Sequence, residues 1–306
     1  MSISVKNVSK LYGAQKALDE VSFEIGGGEV VGFLGPNGAG KSTMMKVLTG
    51  YIPQSAGEAG VCGFDVRERS MDVRRNVGYL PEHNPLYLDM YVREYLEFTA
   101  DIFKLKNKAA RVKEMIGAVG LEREQHKKIG QLSRGYRQRT GLAQALIHDP
   151  KVLILDEPTS GLDPNQLEGV RALIKQLGRE KTVMLSTHIM QEVEAICSRV
   201  IIIDRGRIVA DDRADRLRGA GLAQEAVLVE FDGDVAPNEL RNISGVLAVN
   251  SQGTRTWALA FDPANDIRPA VFEFAVKKGV KVLTMQKAER GLEEVFKELT
   301  KGVDPR

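Results

Sequence analysis

The nine residues GPNGAGKST (35–43) constrain this chain more than any other stretch. They fit the pattern G-x-x-x-x-G-K-[ST]. An apolar strand-like run, EVVGFL (29–34), precedes them, and a helical run, MMKVLTG (44–50), follows. A strand that feeds a glycine-rich turn and then a helix aims successive backbone N–H groups, and the positive end of the helix, at one point. Such a point suits a phosphate. Gly35, Pro36, Asn37, Gly38, Ala39 and Gly40 would form the cradle. Lys41 would bridge the β- and γ-phosphates, and Ser42, with Thr43 behind it, would offer a hydroxyl to Mg²⁺. The motif predicts a P-loop nucleotide site in an α/β fold.

A second motif supports the first. VLILDE (152–157) is a buried-strand pattern ending in two carboxylates. A buried carboxylate without a partner is costly. Beside a P-loop, at the C-terminal edge of a parallel sheet, Mg²⁺ supplies that partner. Asp156 is then expected to hold the metal through water, and Glu157 to act as general base on the attacking water. Together the motifs specify a P-loop NTPase and leave kinases and switch GTPases open.

The rest of the chain frames the site. VGYL (77–80), TVMLS (182–186) and RVIII (199–203) are further short apolar runs, as expected of strands buried on both faces of a parallel sheet. ISVKNV (3–8) and VSFEI (21–25) alternate, as half-buried strands do. Residues 91–120 read as two helices, and a third starts near Tyr136, so 88–148 is expected to be a helical insertion. PNQLEGVRALIKQLG (164–178) opens on Pro and closes on Gly, as helices do. The 306 residues are enough for two domains. The predicted division is an ATP-binding domain over 1–217, a linker RGAGLAQE at 218–225, and an accessory domain over 226–306. The accessory segment orders its patterns β-α-β-β-α-β, with a final helix LEEVFKEL (292–299), which predicts a small ferredoxin-like α+β domain. Its helix DIRPAVFEFAVKKG is expected to bury Val271, Phe272 and Ala275, and Trp257 is expected in its core.

Charge and cysteines narrow the partners. A formal net charge of +2 gives no reason to expect nucleic acid or an anionic membrane surface. Cys62 and Cys197 lie far apart and read as reduced core thiols of a cytosolic chain. The N-terminus lacks the apolar region of a secretory signal, and the apolar runs are strand-length, so any membrane part must come from another chain. His83, His126 and His148 show no ligand spacing and read as surface or loop residues.

QLSRGYRQRTGLAQAL (131–146) adds specificity, because here the chain resembles the ATP-binding subunits of ABC transporters. LSRGYRQR stands in the place of that family's LSGGQ signature. The order also matches: P-loop, signature, Asp156–Glu157, SGLD (160–163), and His188 in STH. The resemblance covers about residues 1–215. In detail the chain is similar to the bacterial subfamily of the gliding-motility ATP-binding subunit and NosF-like exporters, on PEHNPLY (81–87), SRGYRQR and LEEVFKELT (292–300).

The resemblance implies a RecA-like parallel-sheet core with an antiparallel β-subdomain and a helical subdomain. It implies ATP and Mg²⁺ as cofactors, with Tyr12 stacked on adenine, His188 beside the γ-phosphate, and Glu82 reaching the metal. It further implies a head-to-tail dimer, with a second copy or a paralogue, in which Ser133, Arg134, Gly135 and Asp163 meet the other subunit's ATP. Separate transmembrane permease subunits would hold the dimer at the inner face of the membrane. Two positions depart from the family: Arg134 replaces a glycine, and Glu82 replaces a glutamine. The rival readings are a soluble ATPase of the same type, which usually carries two cassettes or a long coiled-coil insertion, and a nucleotide-gated module with little turnover.

Overall fold

A computed structural model describes residues 1–219, 225–262 and 264–288, with Phe296 and Thr300 beyond them. Residues 220–224 of the expected linker and most of the expected last helix, LEEVFKEL, lie outside the described residues. The chain divides into two compact units, Met1–Ala214 and Asp215–Arg306.

The first unit opens with strands β1 (Ile3–Tyr12) and β2 (Gln15–Ile25), then β3 (Val30–Leu34), helix α1 (Lys41–Leu48), strands β4 (Ala56–Val61) and β5 (Phe64–Asp65), helix α2 (Ser70–Asn76) and strand β6 (Val77–Leu80). Helices α3 (Val92–Ile102), α4 (Lys108–Ala118) and α5 (Arg134–Leu146) follow. The unit closes with β7 (Val152–Asp156), α6 (Pro164–Leu177), β8 (Thr182–Thr187), α7 (Met190–Ile196), β9 (Arg199–Asp204) and β10 (Arg207–Arg213). Six strands form one sheet in the order β10-β9-β3-β8-β7-β6. All neighbours in it are parallel except β10 on β9. Its central strands are buried along their length, which explains their unbroken apolar runs. A second, antiparallel sheet has the order β2-β1-β4-β5. Met44, Met45, Val47 and Leu48 of α1 are buried in one core that takes side chains from both sheets.

Consecutive parallel strands place β3, β8, β7 and β6 side by side with their C-terminal ends on one edge. The segments that follow those ends carry the P-loop, His188, Glu157 and Glu82. Such an edge is where open α/β sheets bind ligands.

The second unit comprises α8 (Ala214–Gly219), whose first residue ends the first unit, then β11 (Glu225–Phe231), α9 (Pro237–Arg241), β12 (Val246–Ser251), β13 (Thr256–Phe261), α10 (Arg268–Lys278) and β14 (Val282–Ala288). Its sheet is antiparallel throughout, in the order β12-β13-β11-β14. Val227, Val229, Phe231, Trp257, Leu259 and Phe261 point to one face and form its core with Leu240, Val271 and Ala275. Phe272 is not part of that core. It is 55% exposed, because α10 buries the i, i+4 pair Val271 and Ala275 and turns the next residue outward.

One further expectation is corrected. Helix α5 begins at Arg134 rather than near Tyr136, with Ser133 as its N-cap, so Arg134 and Gly135 form its first turn. His148 lies in the turn after α5, as a loop residue, and is half-buried: its ring stacks on Phe103 at 3.9 Å between centroids, and its Nε2 lies 3.1 Å from the carbonyl of Val77. Burial pushes its pKa down to about 4.

Candidate active site

The loop between β3 and α1 follows a path that only glycine permits at two points. A Cβ on Gly35 would lie 2.3 Å from the carbonyl oxygen of Ile203. Gly40 has φ +109, and a Cβ there would lie 2.5 Å from the carbonyl oxygen of Ala17. Lys41 sits at the first position of α1, and its Nζ donates to the carbonyls of Gly35 (2.8 Å) and Pro36 (3.2 Å). Its ammonium also lies 3.8 Å from Glu157 Oε1. Burial pulls the Lys41 pKa below its ordinary value, and Glu157 and Asp156 pull it the other way.

Asp156 ends β7 and is 2% exposed. Its Oδ1 accepts from Ser42 Oγ at 3.2 Å and from Ser186 Oγ at 2.5 Å. Among the described residues it has no ion-pair partner. Serine hydroxyls gathered around a buried carboxylate form a set of hard oxygen donors that suits Mg²⁺. Glu157 leaves the strand with φ 50, an uncommon conformation for a residue with a Cβ. Its N–H donates to the carbonyl of Ser186 (3.2 Å) and to Ser186 Oγ (3.1 Å). Its carboxylate meets His188 Nδ1 at 3.0 Å through both oxygens. Burial pushes the Glu157 pKa up, while the His188 contact and Lys41 pull it down.

Lys41, Ser42, Glu157 and His188 face a cleft of about 620 Å³ whose wall also includes Tyr12, Asn37, Gly38, Thr43 and Glu82. Asp156 is not on that wall and meets it through Ser42. Tyr12 ends β1 and is 49% exposed, with Lys10 Nζ 5.3 Å from its ring centre. Gln15, Ala17 and Ser160 line the cleft too, and Ser186 braces its floor. Ser160 stood in the SGLD motif, whereas Gln15 and Ala17 did not stand out in the sequence. Ser186 carried only an indirect signal, as a hydroxyl at the end of a buried strand two residues before His188.

Known proteins place this geometry in a family. A family model described as ABC transporter matches residues 18–160. The uncharacterized ABC transporter ATP-binding protein YhcH of Bacillus subtilis is 32% identical over 305 residues, covering 97% of this chain and 95% of that protein. The chain belongs to the ATP-binding proteins of ABC transporters. The bacitracin transport ATP-binding protein BcrA of Bacillus licheniformis is 31% identical over 98% of this chain and 97% of its own length. Among solved structures, a dimer of the ATP-binding cassette MJ0796 in a post-hydrolysis state with ADP and Pi matches with a TM-score of 0.64 at 28% identity. That match covers 69% of this chain and 98% of the other. The chain is thus an ABC-type ATPase subunit that binds ATP and couples its hydrolysis to transport, and it belongs to a class of dimeric cassettes.

The cassette does not bring every expected site residue to the cleft. Ser133, Arg134, Gly135 and Asp163 are absent from its wall. Ser133 Oγ accepts from the N–H of Tyr136 at 3.4 Å, and Asp163 Oδ1 from the N–H of Gln166 at 2.9 Å, so each caps a helix. Helix α5 and the loop after Glu157 are tightly fitted. A Cβ on Gly161 (φ +68) would lie 2.3 Å from the Arg134 guanidinium carbon, and one on Gly135 would lie 2.3 Å from Gln166 Oε1. Gln138 Nε2 donates to the carbonyl of Pro158 at 2.8 Å.

Glu82 borders two clefts. The second, of about 580 Å³, runs between the segment after β6 and helices α3 and α5, with Tyr79, Tyr95 and Gln144 on its wall. Tyr87 lies beside it, edge-on to Tyr95 at 5.9 Å and 55% exposed. Among the described residues no helix is long and apolar enough to cross a membrane.

Proposed function

We propose that the cassette hydrolyses ATP with Glu157 as general base, in a site completed by a second subunit, and so powers an exporter whose membrane-spanning subunits are separate chains. The convergence of Lys41, Glu157 and His188 at the mouth of the P-loop supports this best. Glu157 lies within hydrogen-bond reach of His188 and 3.8 Å from Lys41. In this reading Gly35 to Thr43 wrap the phosphates, and Lys41 exchanges its loop carbonyls for phosphate oxygens. Ser42 and Asp156, with Glu82, would hold Mg²⁺, which when bound offsets charge on the β- and γ-phosphates. Glu157 takes the proton of the attacking water, and His188 orients the Glu157 carboxylate. Tyr12 stacks on the adenine, a contact worth about 1–3 kcal/mol by analogy with base platforms.

Ser133, Arg134, Gly135 and Asp163 act in trans. They stand at or beside helix N-termini, which suit anions, and are outside their own subunit's cleft. The exporter reading leans on BcrA, named for bacitracin transport. PEHNPLY, SRGYRQR and LEEVFKELT support the gliding-motility-associated and NosF-like subfamily as the finer placement. The cleft beside Glu82 and Tyr87 would receive a cytoplasmic helix of the permease, holding the cassette on the inner face of the membrane. For the domains, the proposed division stays at 1–217, 218–225 and 226–306. The β-α-β-β-α-β order and the strand order β12-β13-β11-β14 support a ferredoxin-like second domain.

Replacing Glu157 by Gln tests the base. Hydrolysis should slow by roughly 10²–10⁴ while ATP binding persists, a barrier increase of about 3–5.5 kcal/mol. Parental turnover in Glu157→Gln would remove Glu157 from the role.

A further inference from the structure

Glu192 is a carboxylate with 0% exposure, one turn after His188 on α7, in a part of the chain with no assigned role. A buried carboxylate is costly unless its oxygens are satisfied, so its partners show what it is for. Among the described residues it has two, and each takes a different oxygen. Thr159 Oγ1 donates to Glu192 Oε1, and Thr187 Oγ1 donates to Glu192 Oε2 at 2.8 Å. Both threonines are buried, at 1% and 0% exposure. Thr187 Oγ1 also accepts the N–H of Ile189 at 3.0 Å, which fixes the turn that carries His188.

The two threonines belong to different segments. Thr159 lies two residues after Glu157, and Thr187 lies immediately before His188. One rigid, buried carboxylate therefore ties the segment bearing Glu157 to the segment bearing His188, and those side chains meet at 3.0 Å. Glu157 needs such a tie, because its backbone is held at φ 50 and has to be kept there by its surroundings.

We propose that Glu192 is a positioning residue for ATP hydrolysis, setting the approach of Glu157 to His188 by clamping Thr159 and Thr187. It is sealed from solvent and lies off the wall of the nucleotide cleft, and it acts through the two residues it aligns. The inference rests on the assignment of Glu157 and His188 to hydrolysis.

Steady-state hydrolysis, ATP binding and single-turnover rates of the full chain test the clamp in Glu192→Ala, Glu192→Gln and the double variant Thr159→Val with Thr187→Val. The Ala and double-Val variants should lose about 10–100-fold in kcat, the cost of a misplacement near 1 Å, with KM and Kd for ATP within about twofold of the parent. The Gln variant can accept from Thr187 and donate to Thr159, so its kcat should stay within about threefold. In a Glu157→Gln background, Glu192→Ala should remove almost nothing more, because both changes strike one unit.

The double-Val variant strips the buried carboxylate of both donors. If it and Glu192→Ala do not fold, Glu192→Leu combined with Thr159→Val and Thr187→Val, which removes donors and acceptor together, decides the matter. Its kcat should fall as the Ala variant's does, and parental kcat there would overturn the clamp. Parental kcat in the double-Val variant, a Gln variant as slow as the Ala variant, or full additivity with Glu157→Gln would each overturn the clamp. A Glu157→Gln variant that itself hydrolyses at the parental rate would instead overturn the underlying assignment.

Discussion

Glu157 is held in a costly state on two counts. Its backbone sits at φ 50, which costs a residue with a Cβ about 1–2 kcal/mol. Its carboxyl is buried and its pKa pushed above the ordinary 4.5. A raised folded-state value means that the native chain holds this proton more tightly than the unfolded chain does. The stability it contributes is fully present below pH 4.5 and is lost as pH rises through the raised value. Gln keeps the shape and cannot ionise. Glu157→Gln should therefore melt above the parent near neutral pH, and the gap should narrow as pH falls towards 4.5. A variant that melts below the parent at neutral pH would show that the ionised carboxylate stabilises the fold. At this scale the sequence revealed residues with fixed spacing, such as Lys41, Ser42 and Asp156. Ser186 and Glu192 stayed hidden because their partners are distant in the chain: Ser186 reaches back to Asp156, and Glu192 reaches Thr159. His148 stayed hidden for the same reason, since Phe103 and Val77 come to it through the fold.

Strand β6 and helix α5 touch at Gly78. A Cβ there would lie 2.2 Å from the carbonyl oxygen of Ala145 and 2.8 Å from Leu153 Cδ2. Backbone cannot move aside as a flexible side chain can, so Gly78→Ala should destabilise the chain by about 1–3 kcal/mol. A lowered urea midpoint at constant slope would report it, and an unchanged midpoint would contradict the close contact. The parallel strands were legible because burial on both faces leaves only apolar residues. Strand β4, AGEAGV, was not, since glycine and glutamate disguise it. It forms because β1 pairs with it from Ile3 to Ser9, where Gly57 passes so close to Asn7 that a Cβ would lie 2.2 Å from its carbonyl oxygen. The start of α5 was missed by two residues because Ser133 caps it ahead of a glycine, a residue that usually argues against helix.

At the scale of the whole molecule, the parts expected to read ATP from opposite sides sit apart in one chain. The P-loop and Glu157 share a cleft that Ser133, Arg134, Gly135 and Asp163 do not enter. The family order of motifs made this division legible, whereas the fit of Arg134 over Gly161 needed the folded chain. If two subunits complete each other, Ser133→Arg and Lys41→Ala should each be inactive alone, because either lesion spoils both sites of a homodimer. In a mixed dimer one site carries both lesions and the other carries none. Measuring ATP hydrolysis while titrating one inactive variant into the other tests this directly. Activity that returns in proportion to heterodimer is the expected result. A mixture that stays inactive, with heterodimers shown to be present, would contradict a site built from two subunits.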